Sequence, residues 1–115
     1  MFATELIIEK LKEVSGFKNC AIVTQEGLSI DSYFTEEIDK DFLSAITFSM
    51  YSEINKQSKR IGRNEPKTSI METDENLLAI TTIPMQGESF VLFSEFSSDT
   101  NPINLIDSIN KIANT

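Results

Sequence analysis

The sequence predicts an α/β (α+β) fold of three layers with element order αββαβββα: one five-stranded, mostly antiparallel sheet with helices available for both faces. Three observations carry this reading. Residues 18–25 and 77–83 are short, largely continuous apolar runs, the pattern of strands covered on both sides. One long segment with helical periodicity, 36–61, stands between a hairpin and a three-stranded meander. The four glycines and three prolines all fall between periodic segments and so mark the element borders. A length of 115 residues makes this one domain, 1–115, with no room for a second core.

The first helix is predicted over 3–14, with Leu6, Ile7, Leu11 and Val14 on one face and Gly16 ending it. Residues 18–25 form a central strand, and Glu26-Gly27 turns the chain into 28–34. There Leu28, Ile30 and Phe34 alternate on one side, leaving the other wet. The long helix takes Thr35 as its N-cap. Glu36, Glu37 and Asp39 sit in its first turn and Lys56, Lys59 and Arg60 in its last, which complements the helix dipole. Residues 67–73 begin beside Pro66 and suit an edge strand. Residues 77–83 are central, Pro84 to Gly87 makes a turn, and 89–96 sets Phe90, Leu92 and Phe96 on one face with Val91 and Phe93 on the other. Asn101 caps and Pro102 opens a closing helix, whose buried stripe is Leu105, Ile106, Ile109, Ile112 and Ala113.

Composition excludes several function classes. With 18 acidic against 10 basic residues and a net charge of −8, nucleic acid is not an expected partner, nor is direct binding to an anionic membrane. No apolar run approaches the ~20 residues of a membrane span. The first residues carry acid within their apolar part, so no signal peptide is expected. A single cysteine, Cys20, and the lack of any Asn-x-Ser/Thr site point to a reducing, cytoplasmic setting. Cys20 reads as an inert buried thiol.

Histidine is absent, which removes the commonest general base and metal ligand together. There is no Gly-x-x-x-x-Gly-Lys-Ser/Thr loop and no Gly-x-Gly-x-x-Gly. The carboxylate pairs Glu36/Glu37 and Asp74/Glu75 fall at a helix start and a turn, where solvated charge is the ordinary state. No catalytic residue, cofactor or metal site is therefore expected, and the chain reads as a non-enzyme.

The long helix holds the candidate functional residues. At 100° steps, Ile38, Phe42, Ala45, Ile46, Met50 and Ile54 form one broad stripe for the sheet, with Leu43 at its margin. Phe48 and Tyr51 point elsewhere, among Ser44, Ser52 and Asn55. A single exposed aromatic needs no partner, but two on a second face predict helix–helix contact across a dimer. Lys56, Lys59, Arg60, Arg63 and Lys67 make half of the basic residues and are offset only by Glu65. A solvated helix end accounts for such a run; docking of a partner on Lys56, Lys59, Arg60 and Arg63 is the functional alternative.

In order and spacing, these segments resemble the roadblock/LC7 family over nearly the whole chain. The residues that carry the resemblance are Leu11-x-x-Val14-x-Gly16-Phe17, Ala21-Ile22-Val23-x-x-x-Gly27-Leu28, Phe42-Leu43-Ser44-Ala45, Leu78-Ala79-Ile80, Met85-x-Gly87 and Phe90-Val91-Leu92. The resemblance implies the long helix on one face of the sheet and the terminal helices on the other. It implies a dimer, homodimeric or formed with a paralogous roadblock protein, through the long helix and the adjacent edge strand. Those positions are Ser44–Asn55 and Lys67–Glu72 here, with Thr68 and Ile70 on the strand. It implies a scaffold or regulator of a small Ras-like GTPase, with Arg60 and Arg63 as the basic candidates for a finger-like role in GTPase activation. Two other architectures share parts of the element order: a PAS-like small-molecule sensor and a longin or profilin-like trafficking adaptor. A sensor needs an apolar pocket, and one uninterrupted helix suits an interface better.

Overall fold

The computed structural model describes residues 3–114. Its elements are α1 (Ala3–Lys12), β1 (Phe17–Val23), β2 (Ser29–Tyr33), α2 (Lys40–Arg60), β3 (Thr68–Glu72), β4 (Asn76–Met85), β5 (Glu88–Ser97) and α3 (Pro102–Ala113). The five strands form one sheet in the order β2-β1-β5-β4-β3, antiparallel at every step. The predicted three-layer order is thus the observed one. β2 and β3 are the edges, as expected for the strand beside Pro66.

α1 and α3 cover one face. Ile7, Ile8 and Leu11 of α1 and Leu105, Ile109 and Ile112 of α3 pack on Cys20, Ile22, Leu77, Ile83, Leu92 and Phe96. This is the larger core, because every strand except β2 sends residues into it. Ile8 takes the place expected for Leu6, and Ile106 of α3 stays exposed. α1 ends at Lys12, ahead of the predicted 14. Gly16 lies in the following turn at φ +85°, where an added Cβ would stand 2.2 Å from Thr100 Oγ1, so both conformation and space demand glycine there.

Three local departures from the sequence reading have physical causes. β2 was expected to bury Leu28 and Ile30, yet both are exposed. The pairing runs Ile22 to Asp31 and then Val23 to Ser29, so Ile30 is the extra residue of a bulge and the alternation breaks there. Pro84 and Met85 belong to β4, and the turn is Gln86-Gly87, with φ 51° and 80°. Thr82 N–H donates to Lys67 O, so even-numbered residues of β4 turn their backbone toward β3. β3 has ended before it reaches Pro84, and no ladder bond is lost there.

The start of α2 is the third. Asp39, and not Thr35, is its N-cap, accepting from Phe42 N–H at 3.1 Å. Thr35 is engaged elsewhere, because its N–H and its hydroxyl both donate to Asn19 Oδ1, at 2.7 and 3.1 Å. Asn19 Nδ2 donates to Glu95 Oε1 at 2.9 Å and to Glu36 Oε1 at 3.4 Å. This buried amide therefore ties β1 and β5 to the segment that feeds α2. Asn19→Ala should lower unfolding free energy by roughly 2–3 kcal/mol in urea titration. A loss within error would mean the segment before α2 is held by something else.

Candidate docking surface

α2 runs for 21 residues without interruption, over β1, β5 and β2 on the face opposite α1 and α3. Its orientation reverses the sequence reading. The buried residues are Ser44, Thr47 and Tyr51, with Thr47 at 0% exposure. Phe42, expected on the sheet, is 66% exposed; Ile46 is 40% exposed and Ala45 also faces out. Met50 and Leu43 lie at the margins, where Leu43 packs with Phe34 beside Ala21, Val23 and Phe93, and Met50 beside Tyr51, Ile80 and Val91.

Packing explains the reversal. Beneath α2 the sheet presents Ala21, Val23 and Phe93 on one side and Ile80 and Val91 on the other, and the small Ser44 and Thr47 are buried between Leu43 and Tyr51, which pack on these two groups. Both faces of the segment mix small polar and large apolar residues: Ser44, Thr47 and Tyr51 on one, Phe42, Ala45, Ile46 and Ser49 on the other. Periodicity alone cannot say which of them meets the sheet.

The residues expected at a dimer face are therefore divided. Ser44 and Tyr51 are buried within the chain and are not available on the outer side of α2. Phe48 lies over the turn at Gly27, its Cβ 3.5 Å from where a glycine Cβ would stand, and is half-buried. Asn55 is half-buried too, while Ser52 is exposed. The Tyr51 hydroxyl donates to the Glu65 carboxylate and so ties α2 to the segment leading into β3. Burial, and then Glu65, push that hydroxyl up to about 12.

Thr68 and Ile70 lie on the open edge. Lys67 O accepts from Thr82 N–H, and Thr73 N–H donates to Asn76 O, so odd-numbered residues of β3 carry the ladder to β4. The backbone groups of Thr68, Ile70 and Glu72 then face outward, unpaired within the sheet. Their side chains turn to the α3 side, where Thr68 Oγ1 bonds Asn110 Oδ1 at 3.1 Å and Ile70 joins the larger core. The edge thus offers backbone, not these side chains.

Lys56, Lys59 and Arg60 border a cleft of about 530 Å³ with Gln25, Phe48 and Tyr51. Neither of the two ion pairs among the described residues, Lys12–Glu9 and Lys111–Asp107, uses them or Arg63. Arg60 donates to Gln57 Oε1 at 3.3 Å. Among the described residues no group of three or more Cys, Asp or Glu is arranged to hold a metal, and no helix is long and apolar enough to cross a membrane.

The roadblock/LC7 domain model matches residues 3–90. The chain belongs to the roadblock/LC7 family. Its roadblock fold is shared with solved structures of low sequence identity. MglB of Myxococcus xanthus is 22% identical, covering 96% of this chain and 82% of that one, with a TM-score of 0.75. A roadblock/LC7 domain from Streptomyces avermitilis is 16% identical over 95% and 89% of the two chains, TM-score 0.79. The gliding protein MglB of Thermus thermophilus is 13% identical over 96% and 82%, TM-score 0.79. No curated protein matches the sequence.

Cys20, at the centre of this roadblock sheet, is fully buried, and burial pushes its thiol from 9.0 up to about 12. Cys20 and Tyr51 both hold their protons to higher pH folded than unfolded. Their contribution to stability is whole below about pH 9 and is lost as pH climbs toward 12. A thiol reagent at about pH 8 should leave the native protein unmodified and label one equivalent after denaturation. Melting temperature should fall above about pH 9; rapid native labelling would show that the strand opens.

Proposed function

We propose that this roadblock chain is a cytoplasmic, non-enzymatic dimer that serves as a docking platform for a small Ras-like GTPase. The observation that carries the platform is the reversed amphipathicity of α2: polar Ser44 and Thr47 meet the sheet while Phe42, Ala45 and Ile46 face out. Exposed apolar side chains grouped on one helix face favour a further partner. The unpaired β3 edge is on the same chain and gains backbone hydrogen bonds when a second strand joins it. A two-fold pairing of such surfaces closes both liabilities at once. The partner class is the one the family resemblance implies.

In this mechanism the chain contributes shape and charge, not reacting groups. Hydrolysis or exchange changes when a docked GTPase has its own switch segments held in one arrangement. Arg60 and Arg63 are the only arginines, so they alone could lend a finger to the transition state.

Light scattering should give twice the chain mass for the wild type. Ile46→Asp with Phe42→Asp should yield folded monomers, since both side chains are exposed within the chain. Tyr51→Asp should instead destabilise the fold by about 3 kcal/mol or more, because it places a charge in the contact with Ile80 and Val91. A monomeric wild type would overturn the dimer.

Binding to a panel of Ras-like GTPases loaded with GDP or a GTP analogue, read by fluorescent-nucleotide anisotropy, tests the partner. One nucleotide state should bind at least about tenfold more tightly, since a regulator must distinguish the two. Stimulated hydrolysis that survives Arg60→Ala with Arg63→Ala, at protein concentrations that keep the dimer assembled, is the outcome expected of switch ordering. Absence of binding across the panel would overturn the GTPase assignment.

A further inference from the structure

Half of the chain's cations stand in one short stretch. Residues 56–67 hold Lys56, Lys59, Arg60, Arg63 and Lys67, five of the ten basic residues, against one of the eighteen acidic ones, Glu65. On a chain of net charge −8, this is where an anion meets least repulsion. Compensation of the helix dipole accounts for cations at the end of α2. It does not account for where they converge. Lys56, Lys59 and Arg60 all line the cleft on the Gln25 flank of α2, and no Asp or Glu among the described residues lines it with them. Glu65 accepts from the Tyr51 hydroxyl, and Glu53, three residues before Lys56, accepts from Gln57 Nε2 at 2.8 Å. Lys56 and Lys59 have no side-chain partner among the described residues.

The shape of the cleft narrows the choice of ligand. Its helical wall extends from Phe48 to Arg60, about 18 Å along the axis. A volume of about 530 Å³ over that length is a slender channel. It suits an extended chain of about five residues, at ~3.3–3.6 Å each, better than a compact molecule. The lining is ordered along the helix, with the Phe48 ring first, then Ser52 and Asn55, then the three cations. An apolar side chain matches the first, backbone groups can hydrogen-bond to the second, and carboxylates match the third.

We propose that this flank of α2 binds an acidic linear segment of another protein. The segment lies extended, with one apolar side chain against Phe48 and two or three carboxylates against Lys56, Lys59 and Arg60. The site is distinct from the outer face at Phe42, Ala45 and Ile46, so it does not depend on that face being a dimer or GTPase surface.

The probe is a fluorescein-labelled, end-capped peptide of one leucine followed by four glutamates. It is titrated with the full chain at about 0.05 M salt and read by anisotropy. Binding should saturate, and Lys56→Ala with Lys59→Ala should weaken it at least about tenfold. Lys10→Ala with Lys12→Ala removes the same charge from α1, across the sheet, and should leave binding within about twofold. Exchanging the peptide's leucine for serine should weaken it about threefold or more. Amide chemical shifts should move at Gln25 and along residues 48–60. Lys56 and Lys59 are exposed, so their variant should keep the wild-type circular dichroism spectrum.

Equal weakening by the two double variants would mean diffuse attraction to charge and would overturn the site. Displacement by inorganic pyrophosphate at the peptide's own concentration would make it a small-anion site and overturn the linear segment. Shifts confined to the outer face of α2 would overturn the location. A monomeric wild type that still binds the peptide would support this inference while the dimer falls.

Discussion

The packing of α2 on the sheet governs the whole of that side of the molecule. Ser44 and Thr47 are the residues that permit it, and their hydroxyls are buried with no hydrogen-bond partner among the described residues. Such burial is unfavourable by a kcal/mol or more per group. It is tolerated because the helix then packs tightly, with Tyr51 on Ile80 and Val91 and with Leu43 beside Phe93. With Ser44, Thr47 and Tyr51 turned inward, Phe42, Ala45 and Ile46 fall on the opposite, outer side of the helix. The exposed face of α2 is thus a consequence of the packing beneath it.

The two faces of the sheet divide the labour. α1 and α3 bring a conventional apolar layer onto Ile22, Leu92 and Phe96, and most of the burial is there. The opposite layer is thinner and partly polar, so it can be devoted to a surface. Asn19 and Tyr51 hold the two ends of that layer in place, one through Thr35 and Glu36 ahead of the helix and the other through Glu65 behind it. The helix is pinned by polar contacts at its ends and by shape along its length.

Much of this was legible in the sequence. Apolar runs located the central strands, and the Asn101-Pro102 pair located the start of α3, since their chemistry is local. The family is legible in order and spacing as well, and the domain model agrees. What was not legible depends on neighbours distant in sequence. Thr35 has the composition of a cap, but Asn19 takes its hydrogen bonds from sixteen residues away. The Ile30 bulge is set by register against β1, which alternation within β2 cannot report. The facing of α2 is set by its packing on β1, β4 and β5, which periodicity within the helix cannot report, and Ser44 and Tyr51, read as outward, are turned inward.

The strand order has a consequence for the order of synthesis. β1 pairs with β5, joining Ala21 to Phe93, so the centre of the sheet closes over most of the chain. Until β5 has left the ribosome, β1 has only its hairpin partner, and α2 has no complete surface on which to lie. Ser44 and Thr47 then have no reason to turn inward, and the outer stripe of Phe42 and Ile46 is not yet defined as an outer stripe. The surface on α2 comes into being only once β5 (Glu88–Ser97) is in place, which separates the exposure of that helix during translation from its use in assembly.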